Sequence, residues 1–227
     1  MRIAVLALQG AFLEHRQMLA KLGIESFEVR QQKDWLQHKD GLIIPGGEST
    51  TQSKLLKDLG LLDLVRSDIE AGLPVYGTCA GLILLAKQVE GQQPSGLSTM
   101  DISVCRNAYG RQLGSFFTEA RVECVGDDVP MTFIRAPYIK EVYGNTRILA
   151  EVGGHIVAAQ EGNQLVTSFH PELDSDTRIH EYFLNIVRKH AQQTVINDST
   201  GTDKYQIINK SRVLLVRDKT LDFSFAP

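Results

Sequence analysis

Short, uninterrupted apolar runs are the feature that most constrains how this chain can fold. Ile3–Leu8 and Gly41–Ile44 carry no polar side chain, and Pro74–Gly77 and Leu165–Phe169 are runs of similar length. Such runs are typical of strands that are buried on both faces, as in a parallel sheet. Segments of helical spacing separate the first three runs. The alternation therefore predicts βαβ units and an α/β fold with a doubly wound, mostly parallel sheet.

The remaining segments predict the helices and further strands. A fifth strand is expected at Glu25–Arg30. Helices are predicted from apolar residues at helical spacing, at positions 12–22, at 50–71 with a break near Gly60, at 80–89, and along the stripe Ile179, Tyr182, Phe183, Ile186 and Val187. From Ile102 to Ala159 short strand-like runs dominate, and they suggest antiparallel additions to the sheet: Gly114–Val125, Met131–Ile134, Ile148–Val152 and Ile156–Ala159.

The C-terminal segment departs from this pattern. Gln192–Asp203 is polar and rich in turn-forming residues, and Gln206–Ile208 and Arg212–Val216 resemble isolated strands. We therefore expect one domain at residues 1–190. Residues 191–227 are expected to be an extension without a catalytic role, whether a flexible tail, an added hairpin or a segment foreign to the natural chain.

Composition excludes several classes of protein. The 227 residues include 24 Lys and Arg against 27 Asp and Glu, a net charge of −3 that gives no electrostatic footprint for nucleic acid. No apolar run approaches the ~20 residues of a membrane-spanning helix. The 3 cysteines have no CxxC spacing, so a disulfide framework and a zinc site are both poorly supported. A cytoplasmic enzyme without a metal is the expectation.

The segment Val75–Leu82 carries the sharpest chemical signal. Gly77-Thr78-Cys79-Ala80-Gly81 has the form of a nucleophile elbow, with cysteine in the place of serine. A strand that turns abruptly into a helix strains the backbone of the nucleophile, and flanking glycines leave room for close packing. The helix N-terminus supplies N–H groups that favour a thiolate and can stabilise an oxyanion.

Two further segments complete a candidate site. His170-Pro171-Glu172 follows the predicted strand at Leu165–Phe169, and residues i and i+2 of an extended segment project to the same side. Glu172 is therefore expected to orient the His170 imidazole, as the third member of a triad does. Pro45–Thr50 also lies between a strand and a helix, and its consecutive glycines can present bare N–H groups to an oxyanion or a carboxylate. The other five histidines, including His15 and His180, are expected to be surface or packing residues.

In this order, the three elements resemble the class I (triad) glutamine amidotransferase family, whose fold is flavodoxin-like. Within that family the chain is similar to glutaminase subunits of pyridoxal 5′-phosphate synthase. Six segments carry the resemblance: Ala7–His15, Pro45–Thr51, Gly77–Leu82, Arg106–Gln112, Phe133–Pro137 and Ser168–Leu173.

The resemblance implies a role for each matching residue. Cys79 is the nucleophile, His170 the general base and acid, and Glu172 its orienting carboxylate. The implied glutamine-binding residues are Gly47, Glu48, Ser49, Arg106, Ile134 and Arg135. Gly47 and Ala80 are implied to form the oxyanion hole, and Gln9 and Gly10 to lie at a partner interface. No metal or organic cofactor is implied for this half-reaction.

The same resemblance implies the substrate and the partner. L-Glutamine is hydrolysed to glutamate and ammonia, and the ammonia passes to a separate synthase subunit in an assembly of twelve plus twelve subunits. Three alternatives stay open at this point. They are a glutaminase for another synthase, such as imidazole glycerol phosphate synthase, a cysteine peptidase with the same elbow, and a non-catalytic glutamine-binding module.

Overall fold

The computed structural model describes residues 1–93, 96–106 and 115–200, with side chains as far as Thr194. The chain divides into two compact units, Met1–His190 and Ala191–Pro227. The predicted strands Gln206–Ile208 and Arg212–Val216 lie outside the described residues. None of the helices within the described ranges is long and apolar enough to cross a membrane.

Twelve strands and six helices, with one short 3-10 turn at Pro171–Leu173, form the described chain. The strands are β1 Arg2–Leu6, β2 Glu25–Val29, β3 Gly41–Ile44, β4 Val75–Thr78, β5 Ala86–Val89, β6 Met100–Cys105, β7 Ser115–Val122, β8 Gly126–Ile134, β9 Tyr138–Val142, β10 Arg147–Val152, β11 His155–Glu161 and β12 Gln164–Thr167. The helices are α1 Phe12–Lys21, α2 Gln32–Trp35, α3 Ser49–Asp58, α4 Leu62–Glu70, α5 Ala80–Leu85 and α6 Arg178–Thr200.

The large sheet has a parallel half and a mostly antiparallel half, as the sequence predicted. Its order is β2-β1-β3-β4-β12-β11-β9-β6-β5, with β10 beside β11. The first five strands are mutually parallel. From β12 to β6 each neighbouring pair is antiparallel, and β5 then pairs with β6 in parallel. β7 and β8 form a separate antiparallel pair.

Alternate residues of the central strands fill two cores, one on each face of the sheet. On β1, Ala4 and Leu6 pack into one core and Ile3 and Val5 into the other. The first core takes apolar residues from α3, α4 and α5, and the second takes them from α1, α6 and the β7–β8 pair. A strand that is buried on both faces needs apolar side chains at every position, and this explains the uninterrupted run on β1.

Several expectations from the sequence were wrong in detail. The helix predicted over residues 80–89 ends at Leu85, and Ala86–Val89 instead forms the edge strand β5. A short run cannot reveal this, because its choice between helix and strand depends on a distant partner, here β6. β6, β9 and the short helix α2 were not predicted, and the strand expected at Met131–Ile134 begins earlier, at Gly126.

The polar stretch after His190 was also misjudged. α6 continues to Thr200, so the part of Gln192–Asp203 that the structure describes is helical rather than turn-rich. Between His190 and Thr200 the sequence contains neither glycine nor proline. Adding residues to an existing helix is far easier than nucleating a new one, so a polar segment can extend the amphipathic part of α6.

Gly81, at the start of α5, packs so closely against β3 that it leaves no room for a side chain. A Cβ atom there would lie 2.2 Å from the carbonyl oxygen of Ile44, so the backbone of β3 would have to move. We expect Gly81→Ala to lower the free energy of unfolding by about 2–3 kcal/mol, the upper part of the range for overpacking. Urea denaturation measures the loss.

The matched control for this substitution is Gly162→Ala. Gly162 has φ +54°, and a Cβ added to it would meet no atom within 4 Å, so alanine there adds backbone strain without a steric clash. That strain costs about 1 kcal/mol. A loss for Gly81→Ala no larger than the control would contradict the close packing of the elbow on β3.

Candidate active site

Cys79 lies at a strained turn between β4 and α5. Its φ of 47° and ψ of −94° fall in a region that residues with a side chain rarely adopt. Its N–H donates a 2.8 Å hydrogen bond to the carbonyl oxygen of Thr167 on β12, which helps to hold the turn. A Cβ on Gly77 would lie 2.7 Å from the backbone carbon of Gly81, so the two glycines allow the chain to fold closely on itself. This is the geometry that the elbow pattern predicts.

His170 and Glu172 follow β12 and lie side by side. Nδ1 of His170 is 2.7 Å from Oε1 of Glu172, and both residues are buried. The sequence prediction placed them together in an extended segment, but Pro171–Leu173 forms a 3-10 turn. The pairing is therefore made by a tight turn, which the proline tolerates because it stands at the first helical position.

The surroundings of His170 favour its charged form. Burial lowers its pKa, but hydrogen bonds to Cys79 and Glu172, together with the negative charges of both, raise the pKa to about 10. Cys79 and Glu172 are thus both neighbours of the imidazole. The three groups form a chain in which the thiol and the carboxylate flank one imidazole, the arrangement required for nucleophilic catalysis.

The loop after β3 packs against both the imidazole and the loop after β1. A Cβ on Gly46 would lie 2.3 Å from Cε1 of His170, and one on Gly10 would lie 1.8 Å from the carbonyl oxygen of Gly46. That carbonyl accepts a 3.1 Å hydrogen bond from the N–H of Ala11. The side chain of Gln9 accepts a 2.7 Å hydrogen bond from the N–H of Glu48. The β1 loop therefore fixes the conformation of the glycine loop.

These elements surround a cavity of about 360 Å³, which is within the range of small-molecule sites. Nine residues predicted from the sequence line it: Gln9, Gly47, Glu48, Ser49, Cys79, Arg106, Ile134, Arg135 and His170. Gly10, Ala80 and Glu172 are not among its lining residues, although each lies within two positions of one in sequence. Ala11, Gly46, Ile83, Pro137 and Leu173 also line the cavity and were not among the predicted site residues.

Charged side chains stand at the mouth of the cavity. Arg135 has a φ of 44° and its guanidinium lies 3.3 Å from the carboxylate of Glu48. Arg106 donates a 2.9 Å hydrogen bond to the side chain of Gln92. Of the segment Arg106–Gln112, the structure describes only Arg106. Within the described ranges, no group of three or more His, Cys, Asp or Glu side chains is placed to hold a metal ion.

Two histidines that the sequence predicted to be surface or packing residues lie behind Glu172. His15 on α1 and His180 on α6 are fully buried, and their ring nitrogens are 3.0 Å apart although they are 165 residues apart in sequence. Nε2 of His15 is 3.6 Å from Oε2 of Glu172. The available signal was weak, because only the place of His15 in the segment Ala7–His15 set it apart from other histidines.

Comparisons with known proteins agree with this geometry. The family model described as the SNO glutamine amidotransferase family matches residues 5–189. A relative from Methanocorpusculum labreanum, named pyridoxal 5′-phosphate synthase subunit PdxT, is 61% identical over 82% of this chain and 98% of its own. A protein of the same name from Streptococcus pneumoniae is 57% identical over 83% of this chain and 99% of its own. A crystal structure titled as a glutamine amidotransferase covers 82% of this chain and 98% of its own, with 44% identity and a TM-score of 0.77.

A cysteine elbow and a His-Glu pair at the carboxyl edge of a flavodoxin-like sheet define a class I glutamine amidotransferase. Within that class, this chain belongs to the SNO glutamine amidotransferase family. The family matches confirm the fold and the enzyme class expected from the sequence.

The raised pKa of His170 predicts a particular titration. We expect the imidazole to titrate near pH 10 in the intact chain and at a lower pH in Cys79→Ala, because alanine removes both a hydrogen bond and a negative charge. Since this pKa lies above the unfolded value of 6.5, the stabilisation is fully present below about pH 6.5 and is lost as the pH rises through about 10. Histidine NMR across this range measures both midpoints.

Cys124→Ala is the control, because it removes an exposed cysteine that does not line the cavity. A midpoint near 6.5 in the intact chain, or one that Cys79→Ala leaves unchanged, would show that the thiol and the imidazole do not interact.

Proposed function

We propose that this chain is the glutaminase subunit of a pyridoxal 5′-phosphate synthase and that Cys79, His170 and Glu172 hydrolyse L-glutamine. The observation that carries the proposal is the single cavity lined by Cys79, His170 and the predicted glutamine-binding residues. The names of the relatives at 57% and 61% identity support the choice of synthase.

The cavity offers complementary groups for each part of an amino-acid substrate. Arg106 and Arg135 supply positive charge for the α-carboxylate, and Glu48 supplies negative charge for the α-ammonium group. Ile134, which is 39% exposed, provides an apolar surface for the methylene groups of the side chain. Held in this way, the side-chain amide of glutamine points inward to Cys79. Gly47 and Ser49 line the same cavity.

The reaction begins from a Cys79 thiolate beside the His170 imidazolium, the charged form of His170 that its raised pKa favours. The sulfur attacks the side-chain carbonyl carbon of glutamine, and the carbonyl oxygen becomes an oxyanion. We assign its stabilisation to the N–H groups of Gly47 and Ala80. Ala80 is the first residue of α5, and a first-turn N–H has no partner within its own helix.

Collapse of the tetrahedral intermediate breaks the carbon–nitrogen bond. The imidazolium of His170 gives its proton to the leaving nitrogen, so ammonia departs and a γ-glutamyl thioester remains on Cys79. Neutral His170 then removes a proton from water, which attacks the thioester carbon. Collapse of this second tetrahedral intermediate breaks the carbon–sulfur bond, so glutamate departs and the pair of thiolate and imidazolium is restored, while Glu172 stabilises each imidazolium.

The product explains why a partner is needed. Ammonia that escapes into water near neutral pH becomes ammonium, which is not a nucleophile. We therefore propose that the chain docks on the synthase subunit, in the assembly of twelve plus twelve subunits that the resemblance implies, and that it works in the cytoplasm. Gln9 and Gly10 are assigned to the docking surface because their loop adjoins the cavity.

Docking is proposed to complete the oxyanion hole. The Gly46 carbonyl and the Gly47 N–H belong to one planar peptide and point in opposite directions. The hydrogen bond from Ala11 to that carbonyl therefore also fixes where the Gly47 N–H points. A partner that contacts the loop of Gln9 and Gly10 can exchange this bond and turn the Gly47 N–H toward the oxyanion.

Substitution of the nucleophile tests the catalytic assignment. We expect Cys79→Ala to abolish glutamine hydrolysis, to retain binding to the synthase subunit, and to leave cofactor synthesis intact when ammonium salts replace glutamine. Cys124→Ala should match the unsubstituted chain in all three assays. Hydrolysis that persists in Cys79→Ala would remove Cys79 from the mechanism.

Activation by the partner is tested by measuring ammonia release with and without the synthase subunit. We expect the isolated chain to be about a hundredfold slower, the effect of one missing oxyanion donor. The complex with Cys79→Ala supplies the blank. Equal rates in the two conditions would contradict activation by docking.

A further inference from the structure

A buried pair of histidines lies on the far side of Glu172 from the substrate cavity. His15 and His180 have no exposed surface, and the proposed mechanism uses neither of them. Nδ1 of His15 is 3.0 Å from Nε2 of His180, a hydrogen-bonding distance. Nε2 of His15 is 3.2 Å from the hydroxyl of Thr78, the residue before Cys79, and 3.6 Å from Oε2 of Glu172. His15 thus lies between His180 and the triad.

Both histidines are neutral at physiological pH. Burial, followed by the charges of His180 and His170, lowers the pKa of His15 well below its ordinary value. Burial lowers the pKa of His180 to about 4. A neutral imidazole carries one N–H donor and one bare nitrogen acceptor, so only one proton lies between the two rings. The ring that donates this proton determines whether Nε2 of His15 turns an N–H donor or a bare nitrogen toward Glu172.

The first arrangement has His15 donating from Nδ1 to His180. His15 would then turn the lone pair of Nε2 toward the carboxylate oxygen of Glu172, and two electron-rich atoms would face each other at 3.6 Å. His180 would carry its proton on Nδ1, a buried atom for which the described residues offer no hydrogen-bond partner. A buried N–H donor without an acceptor is rare and costly.

The second arrangement has His180 donating from Nε2 to Nδ1 of His15. The Nε2–H of His15 then lies between the Thr78 hydroxyl, which accepts it, and Oε2 of Glu172, which it faces. That carboxylate oxygen is buried and has no hydrogen-bond partner among the described residues, so the positive end of the N–H dipole faces an acceptor that no other described group satisfies. Nδ1 of His180 is then a bare acceptor without a partner among those residues, which costs less than an unpaired N–H donor.

We propose that His15 is a positioning residue, held by His180 as the Nε2–H tautomer, which keeps the Glu172 carboxylate aimed at His170. Oε1 of Glu172 orients the imidazole that meets Cys79, while His15 supports the other oxygen of the same carboxylate. The groups that face His15 are His180 from α6, Tyr76 and Thr78 from β4, and Glu172 from the turn after β12. This inference rests on the proposed triad.

The tautomers are measured directly in the intact chain. We expect ¹⁵N NMR of the histidine-labelled protein near pH 7.5 to show both His15 and His180 neutral and protonated on Nε2. A proton on Nδ1 of His15, or a charged His15, would overturn the inference. The measurement needs neither substrate nor partner, so it stands apart from the success or failure of the proposed function.

Kinetics of the complex with the synthase subunit supply the second test. We expect His15→Leu to lower kcat/KM for glutamine about tenfold to a hundredfold, the effect of removing one N–H donor that faces a buried carboxylate. The acidic limb of its pH profile should move upward by about one pH unit, because a carboxylate that has lost a donor takes up a proton more readily. His15→Gln keeps an N–H donor near the position of Nε2. It should therefore restore both the rate and the position of the acidic limb.

Leu19→Ala is the matched control, since Leu19 is a buried residue of the same helix that packs into the core. It should lower thermal stability and leave the pH profile in place. The proposal is refuted if His15→Leu lowers the activity but leaves the acidic limb of the pH profile in place. It is also refuted if His15→Gln restores neither the rate nor the position of that limb. Either result would show that His15 has a purely structural role. Hydrolysis that survives in Cys79→Ala would instead contradict the triad.

Discussion

The parallel alignment of four neighbouring strands is the constraint on which the site depends. β1, β3, β4 and β12 lie side by side and run in the same direction, so their carboxyl ends meet at one edge of the sheet. Each strand is followed there by a loop that carries part of the site. In open α/β sheets this edge is where ligands bind. Short loops are therefore enough to bring residues that are far apart in the chain to one cavity.

Close approach of these loops requires glycine at the points of contact. The loops after β1 and β3 touch at Gly10 and Gly46, where a single added carbon atom would overlap backbone atoms or the His170 ring. The same hydrogen bond, from Ala11 to Gly46, joins the cavity wall to the loop assigned to the partner. A displacement of the loop assigned to the partner is thus transmitted to the proposed oxyanion hole through one peptide unit. The two loops are packed so closely that one cannot move without the other.

Much of the architecture could be predicted from local patterns. The runs at Ile3–Leu8 and Gly41–Ile44 indicated the buried parallel strands, and the glycines around Cys79 indicated the elbow. Edge elements escaped prediction for a physical reason. Ala86–Val89 and Tyr138–Val142 are strands because β6 lies between them and pairs with both, and no local property of either segment records that pairing. The pairing of His170 with Glu172 was foreseen, although a turn rather than an extended segment produces it.

The sequence by itself determined the buried parallel strands, the cysteine elbow and the pairing of Glu172 with His170, because each depends on residues a few positions apart. Only the tertiary structure decided which residues meet across the sheet. His15 and His180 are separated by 165 positions, and nothing local to either residue indicates the other. They meet because α1 and α6 pack on the same face of the sheet, into the core that also holds Tyr76. The burial that follows keeps both rings neutral, and it places His15 beside the carboxylate of Glu172.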